Sequence, residues 1–203
     1  PYEYNEGSPL GGCDPYSISK ACAELVVKAY KPYFEDKDVA LATVRAGNVI
    51  GGGDWADRII PYAIKQIVTK EKVGIWAPDA VRPWQHVLDC LYGYLLVGAN
   101  FKSGAWNFGP PARNCITVEE LVKRLIELWG SGEYEIVKPT FKESEVLTLD
   151  THKAEKELKW TARYDIDTLL SKTVEWYKQH YKDPLRLFGL TWSQISEYEN
   201  QKV

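Results

Sequence analysis

Short apolar runs rich in β-branched residues alternate with amphipathic helical segments along this chain. That alternation restricts it to the α/β class with a mostly parallel sheet. The clearest run is Val39-Ala40-Leu41-Ala42-Thr43-Val44-Arg45-Ala46, short and apolar enough for a buried parallel strand. Further strands are expected at 73–77, 105–108, 134–137 and 146–149. Asp14-Pro15 opens a helix, and Ala21, Leu25, Val26 and Ala29 recur at helical spacing to about Tyr33. Other helices are expected over 58–69, from the turn at Pro83 to Ala99, and from the capping box Thr117–Glu120 to Trp129. Thr151 caps a short helix to Leu158, and Asp165 caps a longer one to Tyr181 with Leu169, Thr173, Trp176 and Tyr177 on one stripe. Residues 1–12 and Gly51-Gly52-Gly53 read as loops, and the chain after Asp183-Pro184 carries no clear pattern.

Composition narrows the partners. The 203 residues hold 25 Lys and Arg against 28 Asp and Glu, a net charge of −3 with no basic run, so a nucleic-acid partner is not expected. No apolar stretch approaches the roughly 18 residues of a membrane span, so no membrane partner is expected either. The four cysteines lie far apart without a CxxC, which argues against a zinc site or a disulfide framework and for a reducing cytoplasm. The sequence contains no Met and begins at Pro1, so it reads as the C-terminal part of a longer chain.

The chemistry centres on Tyr16-Ser17-Ile18-Ser19-Lys20. Spacing i, i+4 on a helix sets a phenol and an ammonium side by side. A free phenol holds its proton to about pH 10 and is a poor base at neutral pH, whereas a fixed positive charge nearby favours the phenolate. Such a pair can take a proton from a sugar hydroxyl while hydride leaves its carbon, and the ammonium can also donate to a ribose. No GxGxxG appears, and Gly51-Gly52-Gly53 has the wrong spacing, so a dinucleotide phosphate loop is not among these residues.

The string Pro9-Leu10-Gly11-Gly12-Cys13-Asp14-Pro15-Tyr16-Ser17-Ile18-Ser19-Lys20 resembles the active-site segment of extended short-chain dehydrogenase/reductases, and among them the CDP-glucose 4,6-dehydratase family. Three further segments agree in order and separation: Val44-Arg45-Ala46-Gly47-Asn48-Val49-Ile50-Gly51-Gly52-Gly53-Asp54-Trp55, Arg82-Pro83-Trp84-Gln85-His86-Val87 and Trp106-Asn107-Phe108-Gly109-Pro110. The resemblance implies the C-terminal part of a Rossmann-type doubly wound sheet plus a smaller substrate lobe. Residues 1–53 and 82–115 would be the remainder of the NAD-binding domain, and 54–81 with 116–203 the nucleotide-sugar lobe.

It also implies roles. Tyr16 would be the catalytic base and Lys20 its partner, and both would bind NAD, Lys20 as a ribose ligand. Asn48, Arg58 and Arg82 would bind the substrate diphosphate, arginine suiting it because its planar fork donates two hydrogen bonds. Glu143 would face the nucleotide or sugar. Arg45 and His86 read as structural, the eight tryptophans as mostly core, with Trp55, Trp76 and Trp84 candidates for the pocket. The implied reaction oxidises C4 of CDP-glucose, eliminates water across C5 and C6, and returns hydride to C6. The elimination acid and base would lie upstream of Pro1. A homodimer or higher homo-oligomer in the cytoplasm, supplying deoxysugars for a bacterial surface polysaccharide such as O-antigen, completes the expectation, with this piece inactive alone. Two alternatives stay open: another NAD-dependent nucleotide-sugar enzyme (a 4-epimerase or a dTDP- or GDP-sugar dehydratase), and a non-catalytic sugar-nucleotide-binding piece.

Overall fold

The structure is a computed structural model that describes residues 3–34, 37–138 and 147–201. In chain order its elements are β1 (Glu3–Tyr4), α1 (Pro15–Tyr30), β2 (Ala42–Ala46), β3 (Asn48–Ile50), α2 (Ile59–Thr69), β4 (Val73–Ile75), β5 (Val81–His86), α3 (Val87–Ala99), β6 (Gly104–Phe108), β7 (Cys115–Thr117), α4 (Val118–Trp129), β8 (Tyr134–Ile136), β9 (Thr148–Leu149), α5 (His152–Leu158), α6 (Ile166–Lys182) and α7 (Leu187–Asn200). They form two compact units: Pro1–Gly47 with Cys90–Gly109 and Thr148–Thr161, and Asn48–Asp89 with Pro110–Leu147 and Ala162–Val203. β3, β5 and β7 hydrogen-bond to one another in one sheet of the second unit.

In the first unit β2 pairs with β6 in parallel, Ala42 opposite Gly104 through Ala46 opposite Phe108. Trp106, Phe108 and Trp160 are fully buried there, each aromatic contributing roughly 1.5–3 kcal/mol by leaving water. The Phe108 and Trp160 rings meet edge-on at 5.0 Å. Gly93 of α3 permits this packing, since a Cβ there would lie 2.4 Å from the Phe108 ring. The N-terminal segment, expected as a loop, supplies β1, which pairs in parallel with β9. Asn107 secures it: its side-chain nitrogen donates to the carbonyls of Tyr4 (2.9 Å) and Asp150 (3.2 Å), and its backbone N–H donates to Glu6 Oε1.

In the second unit β3 pairs in parallel and β7 antiparallel with β5, while β4 pairs in parallel with β8. Ile60, Ile64 and Ile67 of α2, Leu121, Val122 and Leu125 of α4, and Leu169 and Leu170 of α6 build its core. β5 replaces the turn expected at Pro83, where proline sits near the strand start opposite Cys115. The tail after Asp183, without a clear pattern in sequence, forms α7. Its buried positions are the polar Gln194 and Tyr198, whereas Phe188 and Trp192 are exposed, so an apolar-stripe reading cannot find it. Side chains of Asp14, Thr117 and Asp165 cap their helices as expected, accepting from the N–H of Ser17, Glu120 and Thr168. Thr151 does not cap. Its hydroxyl donates to Glu155 Oε1, and Asp150 Oδ1 accepts the His152 N–H instead.

Candidate active site

Local rules fix the entry of α1. Asp14 accepts from Ser17 N (2.9 Å) and Ser17 Oγ (2.6 Å), and these hydrogen bonds hold its carboxyl below the usual range. Pro15 occupies the first helical position, where no N–H is needed. Gly12 must be a glycine for the loop to close on this turn, because a Cβ there would stand 2.6 Å from Ser17 Cβ. The result puts Tyr16 and Lys20 together. The Lys20 ammonium lies 5.5 Å from the Tyr16 ring centroid, and Tyr16 is 67% exposed. Both side chains belong to the first unit.

Asn48, Arg58 and Arg82 belong to the second. Asn48, expected just past the strand, is the first residue of β3 and pairs with Trp84. Arg82 lies two residues before Trp84 on β5, so the register sets Asn48 and Arg82 on one sheet face, one pleat repeat or about 7 Å apart along the strand. Its Nη1 donates to the Val81 carbonyl at 2.9 Å. Arg58 is exposed at the N-cap of α2 and makes no side-chain cap bond. Glu143 lies outside the described residues. Of the tryptophan candidates, Trp84 is buried, Trp76 is partly open and Trp55 is exposed.

The three glycines after β3 serve packing. A Cβ on Gly52 would fall 2.1 Å from the Trp176 indole, and Gly53 adopts φ +81°, so the loop lies flat against α6. His86 is buried beside the Tyr164 ring, 5.1 Å between centroids, with Nδ1 accepting from Leu88 N. Burial, helped by the Lys172 charge, pushes it down to about 4. A histidine lowered in the fold gives stability that is present above its ordinary value near 6.5 and lost as pH falls through about 4. The loss amounts to roughly 3 kcal/mol. Chemical denaturation between pH 7 and pH 4 should show it, and His86→Gln should flatten that slope.

One functional candidate, Glu24, was not singled out from sequence. Glu24 accepts from Arg45 Nε (2.6 Å) and from Thr43 Oγ1 (2.8 Å). The legible signal was an arginine inside an apolar strand, which demands a carboxylate partner. Among the described residues no helix is long and apolar enough to cross a membrane, and no cluster of ligands could hold a metal ion.

Helices on mostly parallel strands, matching solved NAD-bound sugar dehydratases, place the chain in the Rossmann-type class. The profile of the NAD dependent epimerase/dehydratase family matches residues 2–109, and the chain belongs to that family. It is 43% identical over 191 residues to the CDP-glucose 4,6-dehydratase of Salmonella typhimurium, covering 86% of this chain and 53% of that enzyme. It is 28% identical over 183 residues to the dTDP-glucose 4,6-dehydratase of Streptomyces griseus, covering 87% of this chain and 54% of that one. A dTDP-glucose 4,6-dehydratase from Streptomyces venezuelae, solved with NAD bound, superposes with a TM-score of 0.78 at 26% identity, over 91% of this chain and 58% of its own. The chain thus spans about half the length of the curated relatives it matches.

Proposed function

We propose that the complete polypeptide carrying this sequence is a nucleotide-sugar 4,6-dehydratase acting on CDP-glucose with NAD as its resident cofactor. The observation that carries the reading is the Tyr16–Lys20 pair, set on a capped, exposed helix in a chain 43% identical to a CDP-glucose 4,6-dehydratase. Lys20 stabilises the phenolate form of Tyr16, which takes the proton of the sugar 4-hydroxyl and becomes the neutral phenol as hydride leaves C4. Asn48, Arg58 and Arg82 hold the diphosphate. Residues 1–53 and 82–115 form the remaining part of the NAD domain, with 54–81 and 116–203 forming the substrate lobe.

The residues present fit one end of the cofactor. Among the described residues the Lys20 ammonium meets no carboxylate, so its donors are open to ribose hydroxyls. Nothing here fits the cofactor's diphosphate end, since these residues hold no glycine-rich phosphate loop. Lys20 would hold the nicotinamide-side ribose of NAD, which would supply the hydride acceptor for C4 and the donor for C6. We place the enzyme in the cytoplasm as a homodimer, its keto product consumed by reducing or aminating steps of deoxysugar assembly for a surface polysaccharide such as O-antigen.

The test offers CDP-, dTDP- and UDP-glucose to the complete natural polypeptide and follows the product by mass spectrometry. Loss of one water, fastest from CDP-glucose, is the expected result. Inversion at C4 without mass loss identifies an epimerase, and no turnover with tight sugar-nucleotide binding identifies a binding protein. Either outcome overturns the proposal.

A further inference from the structure

We infer that Glu24 is a positioning residue for Tyr16, acting through Arg45. The inference rests on the reading of Tyr16 and Lys20 as the proton-transfer pair. α1 has sixteen residues and no buried side chain among them. Its half-buried positions are Ser17, Ala21, Glu24 and Val27, a stripe of mostly short side chains. A helix is usually fixed in rotation by large apolar knobs pressed into a neighbour; Ile18, Leu25, Val26 and Tyr30 are exposed, and on the half-buried stripe Val27 is the one large apolar side chain among the described residues.

Glu24 supplies what the stripe lacks. Its two oxygens reach two positions on the same face of β2: Oε1 accepts from Arg45 Nε at 2.6 Å, and Oε2 accepts from Thr43 Oγ1 at 2.8 Å. Arg45 is fixed in turn, its Nη1 donating to the Glu6 carbonyl at 3.3 Å. Both members of the ion pair are 19% exposed, so water screens them far less than a surface pair. The Arg45 hydrogen bond holds the Glu24 carboxyl below its usual range, which keeps it ionised at neutral pH. A cavity of about 290 Å³ opens beside this clamp, lined among others by Leu10, Lys28 and Leu41.

A two-point attachment resists rotation about the helix axis, which one hydrogen bond would permit. Tyr16, Lys20 and Glu24 follow one another at i, i+4 and i+8, so the clamp lies on the ridge that carries the pair. Turning α1 by about 10° moves atoms at its outer radius of roughly 6 Å by about 1 Å. A misplacement of that size at reacting atoms costs about a hundredfold in rate.

The experiment compares Glu24→Gln, Arg45→Gln, the double variant and Tyr16→Phe in the complete natural polypeptide, with turnover counted per NAD-loaded protomer. Glu24→Gln should lower kcat about tenfold or more, leave KM for the nucleotide sugar within about twofold, and speed amide exchange across α1. The double variant should be no slower than the slower single variant, because both act through one contact. Thr43→Val removes one attachment without unpairing a charge and should cost about threefold, which keeps the idea testable if Glu24→Gln fails to fold. A kcat unchanged in Glu24→Gln, multiplicative losses in the double variant, or a loss that merely tracks the unloaded fraction overturns the inference. If Tyr16→Phe itself keeps turnover, the functional reading has failed instead.

Discussion

Tyr16→Phe is expected to cut turnover of the nucleotide sugar by about a thousandfold in the complete natural polypeptide while leaving bound NAD in place. The substitution removes one oxygen from a side chain that is 67% exposed, so its cost in stability should stay within about 0.5 kcal/mol. Lys20 remains, and with it the donors to ribose. The loss therefore falls on the proton transfer rather than on binding, and KM should move little. Lys20→Met should differ: it removes both the charge beside the phenol and the ribose donor, so rate and NAD retention fall together. Turnover is read from water loss in the product, and NAD from its release on denaturation. Near-normal turnover in Tyr16→Phe would remove the phenol from the reaction and leave the family match without its chemistry.

The active helix was legible because its signals are local. Asp14 caps, Pro15 starts, and i, i+4 spacing brings phenol to ammonium whatever the rest of the chain does. The strand Ala42–Ala46 was legible for the same reason, its apolar run being long enough to exclude a turn. What sequence left out depends on distant partners. β3 and β7 are three residues each and exist through their pairing with β5. β5 itself carries Pro83, Gln85 and His86, none a strand signal alone, and its burial comes from the second unit's packing. The Gly51-Gly52-Gly53 run reads only as a loop, and its reason shows in the fold: Trp176, over a hundred residues on, needs the space. Arg45 was read as structural, which its ion pair supports. That the same pair grips the helix of Tyr16 required knowing which carboxylate answers it. Glu143 lies outside the described residues, so its expected role rests on resemblance alone.

Asp89→Ala should be the most damaging change to the second unit, costing about 4 kcal/mol. Asp89 is 1% exposed and collects donors from sequence-distant places: Arg163 N at 2.7 Å, Tyr198 Oη at 2.8 Å and Tyr164 N at 3.4 Å. Burial is the larger influence on it and raises its carboxyl above the ordinary range, against those bonds and the Arg163 charge. Truncation leaves buried donors without an acceptor and opens a space beside the Tyr164 and Tyr198 rings, which meet at 5.3 Å. It also frees Arg163, whose guanidinium stacks on Tyr198 at 4.7 Å and donates to the Tyr198 carbonyl, from the carboxylate it faces. α7 offers little apolar surface of its own to the core, so polar contacts hold it: this junction, and on the α6 side Gln194 donating to the Lys172 carbonyl (3.0 Å) and Glu175 Oε2 (2.9 Å). Asp89→Asn keeps one acceptor and turns an amide donor toward another donor, for about half the loss. Tyr198→Phe drops a single bond and should cost about 1–2 kcal/mol. At roughly 2–4 °C per kcal/mol for a protein of this size, the alanine variant should melt about 8–16 °C lower, with α7 amides exchanging first. A drop under about 2 °C would mean that α7 is held by something other than the Asp89 junction.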